Sequence, residues 1–150
     1  MEAFNLAIKK TDAELIAFCM IDDKLNEKHL EILGKHLALD KEIDLCYCDA
    51  LVTHSPNETI KKNSSTGELF EHSLLPFSKE NMVKCQPGPF PMFRKSMWER
   101  NGGFNVDLLH SGDLDFWLKC VRNNSKFKKI NKIQSLYYRS PEGLSTTTDL

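Results

Sequence analysis

The 150-residue sequence has no apolar run approaching the 18 or more residues of a membrane-spanning helix. No signal-peptide pattern opens it. It has no excess charge of either sign: 20 Lys and Arg stand against 21 Asp and Glu, a formal net charge of -1. That balance removes the electrostatic argument for a nucleic-acid partner. The five cysteines are an odd number without a CxxC pair. They favour buried reduced thiols over disulfides or a zinc site, with Cys46 and Cys48 facing the same way on a strand. The expected location is therefore cytoplasmic, or peripheral on the cytoplasmic face of a membrane. His29, His36, His54 and His72 show no metal-ligand spacing. No Ser/His/Asp order, P-loop or GxGxxG fingerprint is present. Internal repeats and low-complexity tracts are absent too. Hydrophobic content is 41% and charged content 27%, as in an ordinary globular domain long enough for a real core.

What the sequence does contain is the run Leu15-Ile16-Ala17-Phe18-Cys19-Met20-Ile21-Asp22-Asp23. A continuous apolar run suits a strand covered on both faces, as in an α/β sheet. Ligands of open α/β sheets bind outside the carboxyl ends of the strands. A carboxylate pair at that end can hold a divalent metal beside a phosphate. The plainer alternative is that Asp22 and Asp23 end the strand and cap the next helix.

Around this run the pattern predicts a helix at Glu2–Lys10 and a strand at Leu15–Met20. A helix from about Glu27 to Leu39 follows, capped by Asn26 and burying Leu30, Leu33 and Leu37. Ile43–Asp49 reads as a second strand ending in an acid. Val52 to Thr66 is polar, either an exposed loop or two edge strands joined at Asn63-Ser64-Ser65. Ser78 can cap a short helix through Val83. Proline excludes a helix interior at Gln86–Pro91. Met92-Phe93 reads as a short strand, Lys95–Asn101 as a helix, and Gly102-Gly103-Phe104 as a turn. Asp113–Asn123 reads as a helix with Leu114, Trp117, Leu118 and Val121 on one face. Phe127–Ile130 and Ser135–Tyr138 read as strands, and Pro141 onward as a mobile tail.

A second acid cluster is Ser111-Gly112-Asp113-Leu114-Asp115-Phe116-Trp117. Asp113 lies where a glycine turn meets a helix start, which the helix dipole favours. Two roles fit: a simple N-cap, or a general base facing a cleft. Asp115 reads as a solvated first-turn acid. Trp117 reads as core, with stacking on a sugar ring as its rival role. His110, just before the acids, can contact a ligand or be an ordinary surface residue.

Taken together, these clusters resemble the central part of family-2 glycosyltransferases of the GT-A fold. Asn5-Leu6-Ala7-Ile8, Ala13-Glu14-Leu15-Ile16-Ala17-Phe18 and Asp22-Asp23 are similar to that family's helix, strand and DxD-type motif. Phe93-Arg94-Lys95-Ser96, Gly102-Gly103-Phe104, Gly112 to Lys119 and the ending Tyr137 to Ser145 resemble its acceptor side. The resemblance implies a partial GT-A, Rossmann-like α/β fold with a mixed sheet flanked by helices. It implies a nucleotide-diphosphate sugar donor and a carbohydrate, lipid-linked or protein acceptor. Asp22 and Asp23 would hold Mg²⁺ or Mn²⁺ on the diphosphate, and Asp113 would be the catalytic base of an inverting transfer. His110, Asp115 and Trp117 would lie on the acceptor side.

The chain departs from the family pattern at Met20, where an acid is expected, and at Gly112, where many members have Glu. The nucleotide-binding β-α-β-α segment that opens such enzymes has no counterpart here. The expectation is a single incomplete domain: residues 1–50 form the metal and diphosphate portion, 51–140 the acceptor portion and 141–150 a tail. Either Met1 is an internal start and the chain is a fragment, or a partner chain or a second copy completes the exposed sheet edge. The alternative function is a non-catalytic binding or scaffolding module derived from the same fold.

Overall fold

The computed structural model describes residues 1–84, 86–108, 110–143 and 146. Five strands form one mixed sheet: β1 (Leu15–Ala17), β2 (Lys24–Leu25), β3 (Leu45–Thr53), β4 (Met92–Arg94) and β5 (Phe127–Tyr138). Their spatial order is β1-β4-β3-β5-β2. β3 and β5 pair in parallel, while β4 runs antiparallel to both β1 and β3, and β2 antiparallel to β5. β1, β3 and β5 therefore point their carboxyl ends the same way. Among the described residues, four helices accompany the sheet: α1 (Glu2–Lys10), α2 (His29–Leu39), α3 (Lys95–Arg100) and α4 (Gly112–Arg122). Short 3-10 turns occupy Glu71–Ser73 and Glu80–Lys84. Among the described residues, no helix is long and apolar enough to cross a membrane.

Alternation along β3 divides the core into two layers, because successive side chains of a strand face opposite ways. Cys46 and Cys48 join Leu33 and Leu37 of α2 with Met92 and Ile130. Leu45 and Tyr47 face the other layer, where Ile8, Met97, Phe116 and Trp117 bring in α1, α3 and α4. Burial pushes the Cys46 and Cys48 thiols up to about 12, so both are inert neutral side chains.

Several elements differ from their sequence-based bounds for identifiable reasons. β1 ends at Ala17 because its partner runs out: Ala17 pairs with Met92, and the preceding residue, Pro91, has no amide to donate. Asn26 does not cap α2; its side chain accepts the Lys28 amide at 3.1 Å in a turn before the helix. In α2 the buried stripe is His29, Leu33 and Leu37, while Leu30 is half exposed. His29 can be buried because its Nε2 lies 3.2 Å from the Phe90 carbonyl oxygen.

α4 buries Phe116, Trp117, Cys120 and Val121, and turns Leu118 outward. Two apolar stripes overlap on that helix, and the one carrying the larger aromatic area goes inside. The two short strands expected at Phe127–Ile130 and Ser135–Tyr138 are one strand. Register shifts beside Cys48, Asp49 and Ala50 carry β5 past its polar middle. In the 53–66 segment an isolated bridge joins Thr59 and Lys62 in place of paired edge strands. Ser78 does accept the Asn81 amide at the start of its 3-10 turn. Of the expected tail, Leu144, Ser145 and Thr147–Leu150 lie outside the described residues.

Candidate functional site at the carboxyl end of the sheet

The segment Phe18–Asp23 leaves β1 at one edge of the sheet and enters β2 at the other, crossing above the carboxyl ends of the strands between. A β-turn closes its end, with the Asp23 amide donating to the Met20 carbonyl at 3.3 Å. The turn sends its members opposite ways. Ile21 is 99% exposed and Asp22 is exposed, whereas Asp23 is only 4% exposed. The Tyr138 amide donates to Asp23 Oδ1 at 2.9 Å. Burial pushes the Asp23 carboxyl up to about 6 against the lowering effect of that amide, and Asp22 nearby adds to the rise. Neither acid caps α2.

α4 brings Asp113 to the same end. Its last turn lies at the amino end of the sheet: Asn123 donates to Asn101, and Arg100 binds Asp44 just before β3. Its first turns lie at the other end, where Phe116 packs against Phe104 at 4.4 Å between ring centroids. Phe104 also meets Phe18, the residue that starts the crossing segment, at 5.8 Å. One aromatic ring thus sits between the base of the Asp22 turn and the start of α4.

The N-cap of α4 is Ser111, in a left-handed conformation, so Asp113 is the second residue of the helix and not its cap. Asp113 and Asp115 are both partly buried in the first turn, and His110 is exposed. Trp117 is core: it is 1% exposed, with edge-on contacts to Phe93, Phe104 and Phe127. That leaves no free ring face for a sugar, which corrects its acceptor-side reading.

Asn5 fixes the geometry between α1 and the turn before α4. Its amide nitrogen donates to Phe104 O at 2.8 Å, and its Oδ1 accepts from Phe104 N and Trp98 Nε1. Lys119 reaches back from α4 to donate to Gly103 O at 3.0 Å. The residues that carry the family resemblance are therefore in direct contact: Asn5, Gly103, Phe104 and α4.

The sequence pointed to Asp49 only as an acid ending a strand. It lies on β3 opposite the bulge in β5, 3.1 Å from Lys129 Nζ, with both side chains largely buried. Lys129 also donates to the Ser73 and Leu75 carbonyls. His72 is buried beside this pair, its Nε2 3.0 Å from Cys48 O, and burial holds its pKa below the usual value. Lys129 sits in a lysine-rich strand and His72 in a segment without periodicity, so neither carried a signal. A shallow cavity of about 330 Å³ lies at the opposite, amino end of β1, lined by residues including Asp12, Glu14, Arg94 and Lys95. It contains none of the candidate acids.

Among the described residues no group of three or more His, Cys, Asp or Glu could hold a metal ion. Mg²⁺ on a diphosphate does not require such a group, since one or two carboxylates with phosphate and water suffice. Asp22, an exposed hard-oxygen donor, fits that arrangement.

No protein-family profile matches the chain. Over 137 residues it is 27% identical to an uncharacterized glycosyltransferase of Methanocaldococcus jannaschii. The match covers 91% of this chain and 46% of that protein, so the chain spans about half the length of the curated relative. The crystal structure of S. aureus TarS shares the fold, with a TM-score of 0.61 and 18% identity over 94% of this chain and 24% of that one. The chain is thus similar in sequence to about half of a glycosyltransferase, and its α/β fold is shared with part of TarS, as expected of a partial GT-A fold.

Proposed function

We propose that the chain supplies the metal-side and acceptor-side portions of a sugar-transfer site. The observation that carries this reading is the placement of the Asp22 turn and the start of α4 at one end of the sheet, with Phe104 between them. The donor is a nucleotide-diphosphate sugar whose diphosphate lies over the carboxyl ends of β1 and β3. Asp22 is the residue that would hold Mg²⁺ or Mn²⁺, and the ion when bound offsets charge on the diphosphate. Asp113 accepts the proton of the acceptor hydroxyl. The acceptor oxygen forms its bond to the anomeric carbon as the bond to the diphosphate oxygen breaks. The diphosphate leaves with the electron pair, and attack from the opposite face inverts the centre. The transition state is oxocarbenium-like, by analogy with glycoside hydrolysis. The partly buried Asp115 and the exposed His110 flank the acceptor's approach.

The test uses protein of the length of its relatives. Calorimetry should show nucleotide-diphosphate-sugar binding that depends on Mn²⁺. Asp113→Asn should preserve that binding and lower transfer by about a hundredfold or more. Unchanged transfer in Asp113→Asn removes the base role. Absence of any metal-dependent donor binding leaves the non-catalytic module, the reading that Met20 in place of an acid favours.

A further inference from the structure

We propose that Asp23 is a positioning residue: by accepting the Tyr138 amide it fastens the Met20–Asp23 turn to β5 and so aims Asp22 alone at the donor diphosphate. This rests on the sugar-transfer reading and divides the labour of the acid pair within it.

The register of the sheet shows how the fastening works. β2 pairs with β5 through Lys24↔Leu136 and Leu25↔Ser135. One residue further back the main chain of β2 leaves the ladder for the turn. The Tyr138 amide therefore meets no β2 carbonyl, and the Asp23 carboxylate takes that acceptor's place at 2.9 Å. A side chain thus extends the ladder past the point where the backbone turns away.

The anchor is itself paired on its other side. Tyr138 pairs with Thr53 of β3, and the next amide, Arg139, donates to Thr53 O at 2.9 Å. With Asp23 buried and spoken for, the turn leaves Ile21 and Asp22 outside. Were Asp23 to rotate toward a shared ion, it would abandon the partly buried Tyr138 amide, at a cost in hydrogen bonding. The two acids have different environments because neighbours in a tight turn point different ways, so adjacency in sequence does not make them a chelating pair.

Amide hydrogen exchange at Tyr138 and Mn²⁺ titration on the full-length protein decide the matter. The variants are Asp22→Asn, Asp23→Asn and Asp23→Ala. Asparagine keeps a carbonyl oxygen for the Tyr138 amide, so Asp23→Asn should retain its protection and keep Mn²⁺ affinity to within about twofold. Asp23→Ala should lose the protection and weaken Mn²⁺ by about tenfold through the loosened turn. Asp22→Asn should weaken Mn²⁺ by about tenfold or more while Tyr138 stays protected. The proposal is overturned if Asp23→Asn loses Mn²⁺ as Asp22→Asn does, or if Tyr138 stays protected in Asp23→Ala. Should Asp23→Ala not fold, Asp23→Asn still separates fastener from ligand. If the wild type binds no Mn²⁺, the metal part of the functional reading fails separately, and exchange at Tyr138 still tests the fastening.

Discussion

Single residues in this chain are constrained mostly by what stands against them. Gly88 has a φ of +75°, and an added Cβ would lie 2.3 Å from His72 Nδ1. Gly102 has nearly the same φ, +76°, but nothing within 4 Å of an added Cβ. The backbone strain is shared, and only the steric clash differs. Gly102→Ala should therefore cost about 1 kcal/mol from the left-handed conformation alone. Gly88→Ala should cost about 3 kcal/mol or more, since the buried imidazole is held by Cys48 O and cannot move aside. Urea denaturation of the two variants measures both; equal losses would mean that the His72 contact is not felt. Of the acids, Asp22 and Asp113 were legible as candidates because each follows or starts a recognisable element. That Asp23 would be buried was not legible: the amide it accepts is left over because β2 is only two residues long.

At the scale of elements, Asn5 makes side-chain hydrogen bonds between α1 and the loop before α4, beside the Phe4–Phe104 ring contact. Asn5→Ala removes a donor to Phe104 O and an acceptor for both Phe104 N and Trp98 Nε1. Leaving these groups unpaired should cost about 2–3 kcal/mol. The Phe104 amide should also exchange faster, whereas a loss confined to global stability would deny Asn5 its clamping role. The helices were largely readable from periodicity: α1 has the expected bounds, and α3 and α4 are within a residue at each end. Strands were less so. The apolar letters of Cys19, Met20 and Ile21 continue the pattern of β1, yet pairing stops where Pro91 removes a donor from β4, a long-range fact invisible in the local pattern. Conversely, Asn131, Lys132 and Gln134 look like a break, but a bulge keeps β5 in register through them. The sheet order was absent from the sequence reading altogether, as it depends on which strand ends carry free donors.

The whole molecule carries two buried histidines, His29 and His72, whose pKa values are lowered chiefly by burial. Asp49 and Glu71 push His72 back upward and Lys129 pushes it down, but burial dominates. Each imidazole is neutral when folded and gains a proton more readily when unfolded. Their contribution to stability is complete above the unfolded value of about 6.5 and is lost as pH falls below it. Asp23, with its pKa raised to about 6, works in the opposite sense over part of that range. His36 is shifted down as well, by desolvation and by Lys128 and Lys132. With three imidazoles against one carboxyl, the denaturation midpoint should fall between pH 7.5 and 5.5, and the C2-proton resonances of His29 and His72 should titrate below 6.5. A midpoint that rises on acidification would show that the carboxyl prevails.

The crossing segment also has a mechanical consequence. Ala17 and Lys24 stand at opposite edges of the sheet, four inter-strand steps apart, and five residues apart in level along β3. On a flat sheet that separation would be about 25 Å. Seven residue steps containing a tight turn reach only about 20 Å. The connection acts as a bowstring that requires the sheet to curve, and the extra residues of β5 opposite Cys48 to Ala50 supply a bulge of the kind that bends strands. Deleting Met20 should then tighten the string beyond what the bulge can absorb and unfold the β2 edge before the rest, as loss of amide protection at Leu136 and Tyr138 would record. A variant that keeps both amides protected would mean that the string has slack. In the native chain, any ligand that presses on the turn also strains the curvature of the sheet beneath it.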